Sequence, residues 1–307
     1  MDLGDSKFDR YDASIPDADP RQVADWIGRH LARSYDGEVV SERGNGMHSF
    51  EHRLTWKDAD DKKAPQLVML QWGGRPVHPH VTQSGHRTPA FVTPFRASYP
   101  SHRVSRVDVA VDGRCDGLWP HIWGVFDGIA KRDTRIAKSA QVYSFPHNPD
   151  HGDSYRLGAD SSSWQVMIYE KGKERFAKTG DPSWRWFFDV VRMEARFWPE
   201  KTFKDRAATM ASGEFWGCSP ILRMVARAFM QLDPEAVSMK ETRIADHERA
   251  LAWIAEQAGP TLLRELDRQG GDIDAWATLL IDMCQQAADR RARPDRGTVL
   301  HASELSH

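Results

Sequence analysis

The sequence has few of the features that mark secreted, zinc-ribbon or membrane proteins. Its three cysteines, Cys115, Cys218 and Cys284, lie far apart and form no Cys-x-x-Cys pair, which excludes a disulfide framework and argues against a zinc ribbon. No run approaches the roughly 20 consecutive apolar residues of a membrane helix. The opening MDLGDSKFDR is acidic and polar, unlike a signal peptide. We therefore expect a soluble, cytoplasmic protein without a membrane partner.

An excess of charge of either sign is also absent from the chain as a whole. The 307 residues carry 42 Lys and Arg against 44 Asp and Glu, a net charge of −2. The charges are unevenly distributed, however, because residues 71–206 carry 21 Lys and Arg against 15 Asp and Glu. A basic middle segment permits a polyanionic partner such as nucleic acid, although it does not require one.

The order of sequence patterns predicts an α+β protein. Strands are predicted for SFEHRLTW, QLVMLQWGG, RVSRVDVAVDG, SYRLG, SWQVMIYEKG and WFFDVVRMEARFW, because these segments are rich in β-forming residues. Beyond Phe203, four segments with helical spacing are separated by Asp-Pro, Gly-Pro and Gly-Gly. We predict an antiparallel or mixed sheet domain with an open polar face over 1–205, an all-helical module over 206–293, and a disordered tail over 294–307.

Period-two alternation sorts the side chains of three predicted strands into an apolar and a polar face. Residues i, i+2 and i+4 share one face of a strand, so Val107, Val109 and Val111 point to the core. If the three strands are neighbours in one sheet, its polar face carries Arg106, Asp108, Asp112, Tyr169, Lys171, Arg192, Glu194 and Arg196.

This polar face has two interpretations, which the residues alone leave equally weighted. Clustered carboxylates such as Asp108 and Asp112 are what hard divalent cations bind. The same carboxylates next to arginines are also what a salt-bridged, solvated surface contains.

Four short motifs in order resemble the replication initiation factor family, the trans-acting rolling-circle initiators of plasmids, phages and integrative elements. The motifs are an Arg-x-Asp strand, a Tyr-x-x-Gly turn, a Tyr-x-Lys segment followed by Glu, and an Arg-x-Glu strand. They fall on Arg106 and Asp108, Tyr155 and Gly158, Tyr169, Lys171 and Glu174, and Arg192 and Glu194. One departure is Met167, where relatives often have a basic residue.

The resemblance implies a metal-dependent tyrosine DNA endonuclease and strand transferase. Tyr169 would attack a DNA phosphodiester, which leaves a 5′-phosphotyrosyl link and a free 3′-hydroxyl, and Lys171 would contact the phosphate. A phenol is a weak nucleophile at pH 7, so Mg²⁺ or Mn²⁺ is expected to polarise the phosphate. Its expected ligands are Asp108, Glu194 and Asp112, and the expected DNA-binding residues are Arg106, Lys173, Arg192 and Arg196.

The implied partner is a single-stranded or hairpin DNA origin, with the helical module serving origin recognition, homodimerisation or contact with a host helicase. Two other functions stay open: a catalytically silent DNA-binding regulator, and a metal phosphodiesterase without a covalent intermediate. A second metal site is also conceivable at His78 and His80, since imidazole is a good ligand. Pro79 between them argues against a regular strand there, and 13 histidines make chance proximity common.

Overall fold

The main structural element is an antiparallel sheet of eleven strands. The computed structural model describes residues 2–59, 66–144, 148–200, 203–230, 234–237 and 258–292. Its strands are β1 (Asp2–Leu3), β2 (Lys7–Ser14), β3 (Val39–Asn45), β4 (His52–Asp58), β5 (Val68–Trp72), β6 (His80–Ser84), β7 (Arg103–Arg114), β8 (Gln141–Tyr143), β9 (Ser154–Leu157), β10 (Trp164–Glu170) and β11 (Val190–Phe197). The α+β prediction is confirmed.

The strand order has mirrored halves about the β2–β7 pair. The order is β3-β4-β5-β6-β2-β7-β11-β10-β9-β8, and β1 pairs separately with β7. Each half begins with a central strand, continues through a helix to the outer edge, and returns strand by strand to the centre. The predicted polar-face residues fall mainly in the second half, because β7, β11 and β10 are consecutive neighbours there.

Six of the described helices supply apolar side chains that cover one face of this sheet: α1 (Pro20–Ser34), α2 (Thr88–Ser98), α3 (Leu118–Arg132), α4 (Thr134–Ala137), α6 (Phe203–Ala207) and α7 (Pro220–Met230). Helix α5 (Lys171–Thr179) lies on the opposite, polar face. The start of α1 follows from Asp19, whose side chain accepts a hydrogen bond from Arg21 N as an N-cap. Ile27, Phe126 and Phe229 then join the cluster that contains Val109 of β7, so burial of these faces holds the helices against the sheet.

Two features of the second half differ from the sequence pattern. The strand predicted to include Lys171 ends at Glu170, and Lys171 begins α5. The residues before β11 form a 3₁₀ helix, Pro182–Phe187, instead of a continuous strand. Helix α5 packs against β10 and β11, and the 3₁₀ helix packs against α5. Residues of α5 line the cavity around Tyr169, and residues of the 3₁₀ helix line a neighbouring cavity.

The chain divides into two compact units, residues 1–242 and 243–307. In the second unit the described residues form two helices, α8 over 258–268 and α9 (Ile273–Ala292). The predicted helix ETRIADHERALAWIAEQ and the predicted tail over 294–307 lie outside the described residues. The predicted boundary between sheet domain and helical module stays a prediction. None of the described helices is both long enough and apolar enough to span a bilayer.

Candidate active site

Antiparallel pairing of β7, β11 and β10 brings most of the predicted polar-face side chains together. Arg196 lies opposite Asp108, and Arg192 lies opposite both Asp112 and Tyr169. The side chains of Asp108, Arg192, Glu194 and Tyr169 are buried, because α5 and adjacent loops cover this part of the face. A cavity of about 480 Å³ opens onto Asp108, Tyr169, Lys171, Glu194 and Arg196.

Tyr169 makes a direct hydrogen bond to Glu194. Its hydroxyl donates to Glu194 Oε2 at 3.0 Å, and Lys171 Nζ lies 3.4 Å from the same hydroxyl oxygen. Burial, followed by the Glu194 carboxylate, raises the pKa of Tyr169 well above its ordinary value. The resting nucleophile candidate is therefore a neutral phenol whose hydrogen is directed at a carboxylate.

Asp108 and Glu194 form a buried acidic pair in which each member has its own arginine. Arg106 donates two hydrogen bonds to Asp108, of 2.8 and 2.7 Å, and Arg196 donates one of 2.8 Å to Glu194. Burial raises the pKa of Asp108 to about 6. The nearby Glu194 carboxylate adds to this rise, whereas Arg106 opposes it. Burial also opposes ionisation of Glu194, but Arg196 and Tyr169 hold its pKa below the ordinary value.

Asp112 belongs to a different cluster from the acidic pair. Arg192 donates to both of its carboxylate oxygens, at 2.5 and 2.7 Å, and Lys7 donates at 3.1 Å. Arg192 also bonds Asp9 at 2.8 Å. Although burial opposes it, these cations lower the pKa of Asp112. The three carboxylates expected to meet at one metal are thus divided between two ion-paired groups.

The carboxylates of this site suit a metal ion held by two carboxylate ligands, and not one held by three. Across the described ranges, no three His, Cys, Asp or Glu side chains are close enough to one another to hold a metal ion. Mg²⁺ commonly binds through one or two carboxylates and completes its shell with water and substrate phosphate oxygens. Asp108 and Glu194 supply two such carboxylates, both buried.

The fold also matches a solved structure, that of the rolling circle replication initiator protein from Geobacillus stearothermophilus. The match has a TM-score of 0.50 and 15% sequence identity, and it covers 77% of this chain and 99% of the other. The fold is that of a rolling circle replication initiator. No protein-family model and no curated protein sequence matches the chain.

Within the initiator fold, the Tyr-x-x-Gly motif has a structural role. Tyr155 lies on β9 with its ring 4.9 Å from that of Trp123, on the apolar face of the sheet. Gly158 has φ +104°, and a Cβ there would lie 2.8 Å from Trp164 O. Glycine is therefore needed to turn β9 into β10, the strand that carries Tyr169.

Helix α5 places several charged side chains near Tyr169. Burial, followed by Arg192, lowers the pKa of Lys171 to about 8. Lys171 Nζ is 3.4 Å from Glu174, which also pairs with Lys178. Lys173, predicted to bind DNA, forms an ion pair with Glu170 at 2.6 Å. Met167 lines the cavity around Tyr169, so this wall position is uncharged.

The histidine pair lies in the other half of the initiator fold. His80 is on β6, 3.3 Å from Ser14 Oγ and stacked on Phe50 at 5.7 Å between ring centroids. Neither His78 nor His80 lines the cavity that contains Tyr169. Burial lowers the pKa of His80, which keeps its imidazole neutral.

Sequence reasoning missed Asp9, Arg10 and Arg175, which also line the cavity. Strict alternation along β2 places Asp9 on the same side as Tyr11. The register shifts between Phe8 and Arg10, however, and such a bulge turns an extra residue toward the other face. The presence of Phe8 and Tyr11, two aromatic core residues three apart, is the sequence signal that could have revealed the bulge.

Proposed function

We propose that this protein is a rolling-circle replication initiator that nicks and rejoins one strand of a DNA origin through Tyr169. The observation that carries the proposal is the Tyr169–Glu194 hydrogen bond, set beside Asp108, Arg196 and Lys171 in a cavity of an initiator fold. A single tyrosine facing carboxylates and cations has the groups that phosphoryl transfer needs.

In the proposed reaction, the Tyr169 oxygen attacks the phosphorus of a DNA phosphodiester. The new bond joins this oxygen to the 5′-phosphate, and the bond between phosphorus and the 3′-oxygen breaks. Glu194 Oε2 accepts the phenol proton in this scheme, and the departing 3′-oxygen takes up a proton from solvent and leaves as a hydroxyl. The reverse reaction rejoins the strand, so energy is conserved in the phosphotyrosyl link.

Cations of the site would stabilise the charge that builds up on phosphate oxygens. Lys171 is 3.4 Å from the attacking oxygen, and Arg196 lines the same cavity. Asp108 and Glu194 are the residues that would hold Mg²⁺ or Mn²⁺, and such an ion would polarise the phosphate as a Lewis acid. Arg106, Arg192 and Lys173 remain proposed DNA contacts that would have to exchange their present carboxylate partners for phosphate.

Covalent trapping tests the proposal without knowledge of the origin sequence. A random-sequence single-stranded DNA library is incubated with the full chain and Mn²⁺, SDS-stable adducts are recovered, and the attached strands are sequenced. We expect adducts enriched for one cleavage site from the natural protein and none from Tyr169→Phe. Tyr155→Phe is the matched control, because Tyr155 is also buried but lies on the opposite face of the sheet.

Other outcomes favour the other functions. Cleavage without an adduct in either protein would favour a hydrolytic phosphodiesterase. Tight DNA binding with neither cleavage nor adduct would favour a DNA-binding regulator. An unchanged adduct in Tyr169→Phe would place the nucleophile on another residue. Origin DNA is the partner on which the proposal rests, whereas a host helicase, a homodimer and a cytoplasmic location stay predictions.

A further inference from the structure

An aromatic turn next to the candidate site is exposed to solvent. The 3₁₀ helix Pro182–Phe187 carries the sequence PSWRWF. The side chain of Trp186 is 80% exposed and that of Phe187 is 45% exposed, while Trp184 is half-buried. Trp186 and Phe187 are adjacent in the chain, and burying these large aromatic side chains would stabilise the fold. Their exposure therefore calls for a functional explanation.

The turn is held in place by its backbone contacts. A Cβ on Gly172 of α5 would lie 2.0 Å from Phe187 O, so only glycine permits this close approach. Arg114 Nη2 donates to Trp186 O at 2.9 Å, and Arg185 pairs with Asp150 at 2.8 Å. The aromatic side chains therefore project from an anchored backbone, which lowers the entropy cost of binding a ligand.

The turn borders a second cavity next to the candidate active site. This cavity, of about 490 Å³, is lined by Trp184 and Phe187 of the turn. It shares Asp9, Lys171 and Arg175 with the cavity around Tyr169. The two cavities are therefore neighbours, so a polymer bound at Tyr169 would extend past these shared residues to reach Trp184 and Phe187 of the turn.

The charges of the second cavity favour a polyanion. Four cationic side chains line it, Arg87, Lys171, Arg175 and Arg192, against the two carboxylates of Asp9 and Asp112. Both carboxylates are already paired with Arg192. Arg175 also lies 6.0 Å from the ring centroid of Trp184, which places a cation next to an aromatic ring.

We propose that the turn and this cavity form a stacking subsite for the single-stranded DNA that flanks the scissile phosphate. Bases stack on Trp186 and Phe187, and the sugar-phosphate backbone follows Arg175 and Lys171 toward Tyr169. Aromatic rings interleaved with cations are how proteins hold single strands with little dependence on sequence. This proposal rests on the proposed function, since it assigns the path of the same substrate.

The test compares DNA with and without bases. Fluorescence anisotropy measures the Kd of the full chain for fluorescein-labelled (dT)20 and for a 20-unit abasic strand, without added metal, at 50 mM salt. We expect Trp186→Ala to weaken (dT)20 binding at least about fivefold, because loss of one base stack has an effect of that size or larger. Binding of the abasic strand should be unchanged, and Trp186→Phe should restore most of the affinity for (dT)20.

Tyr143→Ala is the matched control, because Tyr143 is an aromatic residue 53% exposed on the edge strand β8. It should bind both strands like the natural protein. Equal (dT)20 affinity in Trp186→Ala and the natural protein would overturn the subsite, as would equal losses on (dT)20 and on the abasic strand. Unchanged DNA affinity with loss of a dimer in light scattering would assign the turn to a protein interface instead.

The binding test is separable from the test of nicking. If Trp186→Ala binds (dT)20 normally while the natural protein still forms the Tyr169 adduct, the subsite is wrong and the proposed function stands. If no protein forms an adduct but base-dependent binding at Trp186 persists, the stacking surface stands and the nicking function is wrong.

Discussion

The Tyr169 hydroxyl donates a 3.0 Å hydrogen bond to Glu194 Oε2 across the β10–β11 pair. The two residues are 25 positions apart in the chain, and antiparallel register brings them together. Because the phenol is buried and its pKa is raised, the proposed attack on phosphorus requires an acceptor for its proton. Glu194 is the group in contact with that proton.

Glu194→Gln keeps the size of the side chain and one acceptor oxygen but removes the charge. We expect adduct formation to fall at least about 100-fold, because the variant loses the proposed proton acceptor and the charge of one of the two proposed metal ligands. The yield of SDS-stable adduct on a cleavable strand measures it, with circular dichroism to verify folding. Glu42→Gln, on an exposed pair with Lys57, should leave the yield unchanged; retention of full activity in Glu194→Gln would assign proton transfer to another group.

Metal binding should depend on Asp108 and not on Asp112. Asp108→Asn removes one carboxylate of the buried pair, whereas Asp112→Asn acts in the separate cluster with Arg192 and Lys7. We expect Mn²⁺ titration followed by electron paramagnetic resonance to show binding lost in Asp108→Asn and retained in Asp112→Asn. The reverse pattern would move the site to Asp112, and loss of binding only in His80→Ala would move it to the histidines.

The rate of nicking should fall at high pH as Lys171 loses its proton. Burial lowers its pKa to about 8 from an ordinary 10.5, so the ammonium form is lost in the folded protein as pH rises through 8. The nicking rate of the natural protein is divided by that of Lys171→Arg, because arginine stays charged over this pH range. We expect this ratio to be constant below pH 8 and to decrease above it, approaching a tenfold decrease per pH unit. A ratio constant to pH 10 would remove Lys171 from the reaction.

The lowered pKa of Lys171 should make the folded protein more stable as the pH rises, although the nicking rate is expected to fall. Between pH 8 and 10.5 the unfolded chain holds more protons at this position than the folded chain, so the contribution of Lys171 to the free energy of unfolding rises with pH in that window. Urea titrations of the natural protein and Lys171→Met at pH 7.5 and 9.5 measure it. The gain on raising the pH should be smaller in Lys171→Met, and an equal gain in both would contradict the lowered pKa.

Gly172 should tolerate no side chain. In Gly172→Ala the new Cβ would lie 2.0 Å from Phe187 O, so backbone must move, at an expected loss of about 1–3 kcal/mol in the free energy of unfolding. Gly124→Ala in the exposed part of α3 meets no atom within 4 Å and should gain up to about 1 kcal/mol. Urea unfolding distinguishes the two, and a neutral Gly172→Ala would show that the aromatic turn is not anchored to α5.

The amino-acid sequence by itself determined the faces of the central strands and the start of α1. Alternation has a period of two, so Val107, Val109 and Val111 could only share the core face once β7 formed. The pair Asp19-Pro20 likewise marks a helix start through local capping. These features depend on neighbours in the chain, which is why local patterns predict them.

Only the tertiary structure decided how the polar groups are paired. Whether Asp112 joins Asp108 or Arg192 depends on strand order and register, and the register places Arg192 beside Asp112. The bulge that turns Asp9 into the cavity and the 2.0 Å approach at Gly172 that anchors the aromatic turn also arise from contacts between distant segments. Charge pairing and close packing are set by three-dimensional distance, and sequence spacing does not encode that distance.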